Sequence, residues 1–413
     1  MVEKIVLSQE YKKTPIGIIP EDWKLTRIKD FGTIITGSTP STSNLSNYGN
    51  DFLFVSPADL SDTKYLTISN KRLSKKGFLQ SRKIPKGSIL FTCIGSTIGK
   101  MGIAACTLTC NQQINAIICD EKHYNEYLYY ALNLNSNRIK LLAGEQAVPI
   151  INKTTFGNFK ILNPPLPEQK KIAEILSLWD KAIEKQSQLI FLLQYRKKGL
   201  MQQLLTGKKR LSGSKGKWEI CKLGDICKRV VTKNSEGNIN VMTISAQQGF
   251  IRQTDFFNKS IASESLDGYY LVNKDEFCYN KSYSNGYPMG AIKRFKEADK
   301  AVVTTLYICF KVSDKKNTDL NFLEQIFDLG ILNRGLTKVA NEGGRAHGLL
   351  NVTPTDFFNL NLHIPSYKEQ VEISKLIMLA DRELKNAIKK LEHLRSQKRG
   401  LMQQLLTGKI RVK

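Results

Sequence analysis

Two short segments of this 413-residue chain hold residue types in an order that base or phosphate chemistry uses. The first is Asn163-Pro164-Pro165-Leu166. An Asn-Pro-Pro turn can hold the amino group of an extruded base for methyl transfer, provided the fourth residue is aromatic and stacks on the ring. Leu166 cannot stack, no glycine-rich cofactor loop follows a strand at a suitable distance, and the later copy reads His363-Ile364-Pro365-Ser366 around its matching Pro365, with no Asn-Pro-Pro. The prolines therefore read as a stiff lead into a helix. The second segment is GSTIGK at 95–100. A nucleotide-phosphate loop needs four residues between its glycines and a Ser or Thr after the lysine; here there are three, and Met101 follows. Nucleotide hydrolysis is excluded, which leaves either a plain strand-connecting turn or a turn whose amides and Lys100 hold a DNA phosphate. No close set of paired acids and a lysine suggests a nuclease. The histidines (His123, His347, His363, His393) are too scattered to support a nucleophilic relay. Cys106 and Cys110, the closest cysteine pair, lack two further ligands nearby, so no metal site is expected. The eight cysteines read as small buried residues with reduced thiols.

What the residues do offer is positive charge. Lys and Arg number 62 against 37 Asp and Glu, a net +25 that suits a polyanionic partner. It concentrates in candidate loops. KRLSKKGFLQSRK at 71–83 carries Lys71, Arg72, Lys75, Lys76, Arg82 and Lys83. YNKSYSNGYPMGAIKRFK at 279–296 mixes Lys281, Tyr283, Asn285, Tyr287, Lys293 and Arg294, and EGGRAHG at 342–348 offers Arg345 and His347. Arg and Lys can bond guanine edges, Asn and Gln adenine edges, and the cations reach phosphates. A membrane partner is not expected, because no run approaches the roughly 20 apolar residues that span a bilayer. The start, MVEKIVLSQEYKK, lacks the apolar core of a secretory signal, so a cytoplasmic protein is expected.

The elements that must position these loops emerge from an internal duplication. Residues 198–208 read KGLMQQLLTGK and residues 399–409 read RGLMQQLLTGK, an offset of 201. At that offset Pro164, Glu168, Gln169 and Asp180 match Pro365, Glu369, Gln370 and Asp381 without a gap. Further upstream Trp23, Ile28 and Asp30 align with Trp218, Leu223 and Asp225. Each repeated segment predicts a helix, the first over roughly 168–206: Pro167-Glu168 suits a helix start, a basic run lies near the end, and Gly207 or Gly408 follows as a stop. Apolar residues recur at spacings of four and three: Ile172, Leu176, Trp179, Ile183, Ile190, Leu193, Leu200 and Leu204 in the first copy. In the second they are Ile373, Ile377, Ala380, Leu384, Ala387, Leu391, Leu394, Leu401 and Leu405. That 3.5-residue period is a coiled-coil seam, broken at Gln186, Lys197 and Lys398, where polar residues can fix register. Two matching seams on one chain predict that the helices pack on each other, antiparallel.

The intervening segments differ from each other and from the helices. Short apolar runs between Gly-, Ser- and Asn-rich turns predict strands in QQINAIICD, and AVVTTLYICFKV at 301–312 reads as one buried strand. Shorter helices are expected at 123–142 and 319–340. The expected fold is α+β: two recognition units, each a curved sheet with short helices and long loops, separated by two long helices in a pseudo-twofold antiparallel coiled coil. The boundaries fall at 1–163, 164–207, 208–364 and 365–413.

This order resembles the specificity subunits of type I restriction-modification systems over nearly the whole chain. The residues that carry the likeness are GSTPS at 37–41, IPKGSILF followed by IGSTIGK, NQQINAI at 111–117, NPPLPEQKKIAEIL, RAHGLLNVTPTDFFNLNLHIPSYKEQ, and MQQLLTGK twice. The second unit lacks the Gly-Ser-Thr-Pro element and the Asn-Gln pair, as variable target-recognition domains of that family do. The resemblance implies a non-catalytic chain that binds double-stranded DNA at a split, asymmetric target. It further implies two adenine methyltransferase subunits and two motor-nuclease (restriction) subunits as partners. S-adenosylmethionine, ATP and Mg would belong to those partners, and this chain would hold no cofactor. The alternatives are a self-contained DNA methyltransferase and a coiled-coil adaptor that binds only protein.

Overall fold

In a computed structural model, residues 11–412 are described apart from Ile16, 61–62, 145–146, Lys215, 258–264 and 341–349. The chain divides into two compact units: Met1–Ser187 with Lys389–Lys413, and Gln188–Ile388. Each unit thus takes in the first part of one long helix and the last part of the other. The long helices run Leu166–Leu204 and Tyr367–Leu405.

In the first unit a five-stranded sheet is ordered Gly32–Thr36, Ile114–Cys119, Ile89–Thr92, Met101–Ala104, Tyr65–Leu66. Its pairs are antiparallel except the last, which is parallel. A second sheet sets Tyr48–Val55 between Thr109–Cys110 and Lys71–Leu73, with a register shift between Tyr48 and Phe52 that bends the central strand. The helix Asn125–Lys140 buries Tyr127, Leu128, Tyr130 and Leu132 in one core with Ile89, Phe91 and Phe156. Ile172, Ala173 and Leu176 of the first long helix and Met402, Leu405 and Leu406 of the second belong to that core.

The second unit has a four-stranded antiparallel sheet, Cys227–Val230, Ile308–Val312, Phe277–Asn280, Ala291–Arg294. Its core joins Phe277, Phe310 and Phe322 to Ile373 and Ile377 of the second long helix and Met201, Leu204 and Leu205 of the first. AVVTTLYICFKV is two strands: Lys300–Val303 pairs with Tyr270–Asn273, and Ile308–Val312 sits in the four-stranded sheet. Thr304 and Thr305, β-branched residues common in strands, hid the turn between them. The helix expected at 319–340 is likewise two, Leu320–Leu329 and Asn333–Val339, because Gly330 adopts a left-handed φ of +73° that ends the first.

The duplication reappears in contacts. Lys24–Arg27 pairs with Lys160–Asn163 just before the first long helix, and Glu219–Lys222 pairs with Asn361–Ile364 just before the second. Both long helices stop on a left-handed glycine, Gly207 at φ +69° and Gly408 at φ +73°. Gly207 lies against Trp218, and Gly408 against Pro20 and Trp23. Ile172, Leu176, Leu193, Leu204, Ile373, Ile377 and Leu405 are buried, while Trp179, Ile183, Ile190, Leu200, Leu384, Leu391, Leu394 and Leu401 are half-buried. Next to Leu200 and Leu401 it is Met201 and Met402 that go fully inside. The breaks at Lys197 and Lys398 are ion pairs: Lys197 meets Asp381 in one unit and Lys398 meets Asp180 in the other. Glu168 meeting Arg411 and Asp180 meeting Lys398 shows that the segments run antiparallel.

Candidate nucleic-acid interface

The 71–83 segment of the first unit forms a strand, Lys71–Leu73, and a short helix, Lys75–Gln80, which starts where Ser74 Oγ accepts the Gly77 amide. Gly77 is required there, since a Cβ would lie 2.0 Å from the Asn47 carbonyl oxygen. Lys71, Arg72, Lys75, Lys76, Arg82 and Lys83 are all exposed. Lys76 Nζ bonds Ser46 Oγ at 3.1 Å, Arg82 Nη1 bonds the Thr36 carbonyl at 2.8 Å, and Lys83 lies over the Phe78 ring, itself stacked on Phe52. Among the described residues none of the six meets a carboxylate. This is a basic surface with its charge unneutralised, tied by Arg82 to the GSTPS segment.

Three sequence motifs converge beside it. Gly37 packs so tightly on the Asn111 carbonyl that a Cβ would lie 2.1 Å away, and Ser38 N bonds the Cys110 carbonyl. Thr39 donates to Gln112 Oε1, Asn111 Nδ2 donates to Gln113 Oε1, and Gln113 lies beside Gly95. GSTPS, NQQINAI and GSTIGK are therefore one constellation, with Gln112 exposed on it. In the GSTIGK loop the amides of Gly95, Ile98, Gly99 and Lys100 all donate to backbone carbonyls. The loop is a strand-connecting turn that also presents the exposed Lys100 side chain.

In the second unit the candidate cations are differently placed. Lys293 pairs with Asp328 at 2.6 Å and lies over the Tyr287 ring; Arg294 bonds Asp275, Asn321 and Glu324. Their charge is met within the unit. Burial and the neighbouring Arg229 push the Lys281 ammonium down from its ordinary value. Tyr283 and Asn285 are exposed on the tight turn Ser284–Tyr287, where the Asn285 carbonyl accepts from Gln247. Arg345 and His347 lie outside the described residues.

The repeated motifs prove to be fasteners. In the first copy Gln169 Nε2 donates to Asn163 Oδ1 and the Pro164 carbonyl, while its Oε1 accepts the Tyr124 amide. In the second copy Gln370 Nε2 donates to the Pro365 and Asn317 carbonyls, and its Oε1 accepts the Asp319 amide. Asn163, read above as part of an incomplete base-holding turn, is spent on Gln169, Thr26 and His123. Glu168 takes a two-pronged bond from Arg411 (2.7 and 2.8 Å), and Glu369 the same from Arg210 (2.6 Å each). Hydrogen bonding to Glu168 raises the Arg411 pKa against the opposing effect of burial. Glu168 also accepts Trp23 Nε1 at 2.9 Å, whereas the buried Nε1 of Trp218 finds no acceptor among the described residues.

Sequence reading missed one cluster of the first unit altogether. Lys64 Nζ, with a side chain 10% exposed, reaches Glu126 (2.7 Å), the Tyr130 hydroxyl (3.1 Å), Ser177 and, at 3.9 Å, Asp180. Burial alone would raise the Glu126 pKa, but hydrogen bonds from Lys64, Tyr65 and Ser177 outweigh it and hold the carboxyl below the usual range. Burial, and then donation to Asp180, raises the Tyr130 phenol. The Cys93, Cys110 and Cys227 thiols are pushed up to about 12 by burial and stay protonated. Among the described residues no cluster suited to a metal ion occurs, and no helix is long and apolar enough to cross a membrane.

Residues 20–190 match a family described as the type I restriction modification DNA specificity domain. The chain is 37% identical to the MjaIX specificity subunit of Methanocaldococcus jannaschii over 181 residues, 42% of each chain. It is 24% identical to the MjaVIII specificity subunit of the same organism over 99% of both. Among solved structures it resembles a type I restriction-modification S subunit from M. genitalium with a TM-score of 0.55, 17% identity, and coverage of 93% of this chain and 96% of that one.

Proposed function

We propose that this chain, which belongs to the specificity subunits of type I restriction-modification systems, reads a two-part asymmetric DNA sequence and confers that choice on enzymatic partners. The observation that carries the reading is the pairing of two unlike recognition units with one repeated joint. Glu168–Arg411 and Glu369–Arg210 are the same contact 201 positions apart, while the basic loops beside them share neither sequence nor charge pairing. A duplicated mount bearing two different readers suits a target with two different halves, as a symmetric reader suits a palindrome. Joining the readers also raises the effective concentration of the second once the first is bound.

On this reading the chain acts in the cytoplasm on double-stranded DNA. Two adenine methyltransferase subunits dock on the repeated helices, which present related surfaces twice, and two restriction subunits complete the assembly. Those partners supply S-adenosylmethionine, ATP and Mg chemistry; this chain supplies sequence choice. Its own groups suit that division of labour, since Asn163 is occupied in the helix lead and four of the GSTIGK amides bond backbone carbonyls.

The test is to express the chain with its methyltransferase partner in a host lacking both and to map modified adenines. A gapped motif with two unlike halves, absent when either protein is left out, is the expected result. Methylation by the purified chain alone would identify an enzyme instead. A partner complex whose methylation pattern ignores this chain would identify an adaptor.

A further inference from the structure

We propose that Lys64 is a positioning residue that clasps the first recognition unit to the long helices and so holds the gap between the two DNA half-sites. The inference rests on the function proposed above and concerns spacing, not which bases are read.

Besides the shared apolar core and the Gln169 bond to the Tyr124 amide, two carboxylates of the first long helix fasten the first unit. The near one is Glu168, holding Trp23 and Arg411. The far one is Asp180, holding Tyr130 and Lys398, with Lys64 bridging to it through Glu126, Tyr130 and Ser177. Twelve residues of one helix separate Glu168 from Asp180, about 18 Å at about 1.5 Å per residue. Two fixed points that far apart remove a rotation that one would leave free.

The clasp draws on every element that needs orienting. Lys64 precedes the strand Tyr65–Leu66, seven residues before the basic loop begins at Lys71; Glu126 and Tyr130 stand on the helix Asn125–Lys140; Ser177 and Asp180 stand on the first long helix, and Lys398 on the second. Its charges balance, two ammonium groups against two carboxylates, with Tyr65 closing on Glu126 and the Tyr130 ring beside both lysines. The second unit has the near joint, Glu369–Arg210, but its far pair, Asp381–Lys197, joins helix to helix. Among the described residues no side chain of its recognition region reaches Asp381.

Geometry shows why spacing is the property at risk. A recognition region of about 160 residues has an expected radius of about 15 Å, so its DNA-facing edge lies on an arm of about 20 Å. A swing of about 10° on that arm moves the edge by about 3.5 Å, close to one base-pair step. Base contacts travel with the region and are unaffected; the distance to the other half-site is not.

The experiment measures kcat/KM for methylation by the assembled complex on duplexes carrying the mapped motif with its natural gap and with one pair more or fewer. Wild-type should prefer the natural gap by about five- to 150-fold, the usual effect of losing one base-pair contact. Lys64→Met, which keeps the aliphatic stem, should cut that preference by about threefold or more while both half-sequences stay the same. Lys398→Met, on a more exposed lysine, should do likewise and serves if the first variant fails to fold. Leu176→Ala, which weakens the same core without touching the clasp, should lose stability and keep the preference. Unchanged preference in both lysine variants, or equal relaxation in Leu176→Ala, overturns the inference. A wild-type complex with no gapped motif overturns the functional reading beneath it.

Discussion

The two units share their attachment to the long helices in one respect and differ in another. Both hold a buried glutamate at the helix start in an arginine fork, and both bury the adjacent glutamine in a ring of backbone bonds. The first unit adds Trp23 on Glu168 and the Lys64 clasp on Asp180; the second leaves Trp218 Nε1 without an acceptor among the described residues and keeps Asp381 for Lys197. A duplication preserves what a repeated mount needs and lets the rest drift with each reader. The matching contacts are therefore the mount, and the unmatched ones belong to the individual reader.

The comparison breaks most visibly at the arginine forks. Arg411 is 8% exposed and, with Glu168 gone, keeps one carboxylate, the half-exposed Asp22, whereas Arg210 is 31% exposed and is left to water. Glu168→Ala should cost about 3–5 kcal/mol, read as loss of amide protection in the first unit by hydrogen exchange. Glu369→Ala should cost clearly less; equal losses would erase the distinction.

The tryptophans sharpen it next. Trp23→Phe removes a donor from a buried carboxylate and Trp218→Phe removes an unpaired one, while the lost volume is the same. The first should destabilise by about 1.5–3 kcal/mol more than the second, the usual worth of a hydrogen bond to a charged group. Chemical denaturation of the two variants checks the difference.

Acid should also tell the units apart. Glu126 has its pKa depressed in the folded unit, so its contribution is fully present above the unfolded value of about 4.3 and is lost as pH falls through the folded one. Protection of the helix Asn125–Lys140 should therefore fall on acidification below about pH 4.3, and Glu126→Gln should flatten that dependence.

The smallest effect concerns the cations. Lys75→Gln and Lys76→Gln should each reduce the log–log salt slope of DNA binding by about 0.9 if they meet phosphates. Lys293→Gln and Arg294→Gln should leave the slope alone and lower the stability of the second unit, because Asp328, Asp275 and Glu324 already neutralise them.

Local signals made the mount legible. A 3.5-residue period and terminal glycines located the first long helix to within about two residues and marked the stop of the second at Gly408, because helix ends and seams are written in adjacent positions. Even the breaks at Lys197 and Lys398 stood out, although their partners Asp381 and Asp180 lie in the other helix. The readers were less legible because their determinants are remote. Lys64 joins residues 62 to 116 positions away on two helices. Lys293 and Arg294 look like free cations until the fold brings acids from 19 to 35 positions away. The turn inside 301–312 begins at Thr304-Thr305, β-branched residues that strands also favour, which is why the segment reads as one strand.

The division of the chain also sets an order of construction. Residues 188–388 form the second unit without interruption, whereas the first needs residues 389–413 to cover its helix. At about 5–20 residues per second, a ribosome needs roughly 10–40 s to pass from Ser187 to Lys389. Through that interval Ile172, Leu176 and Glu168 lack Leu405, Met402 and Arg411. The part made first is finished last, and as the chain emerges its exposed apolar stripe invites a chaperone or an already synthesised helix from another polypeptide.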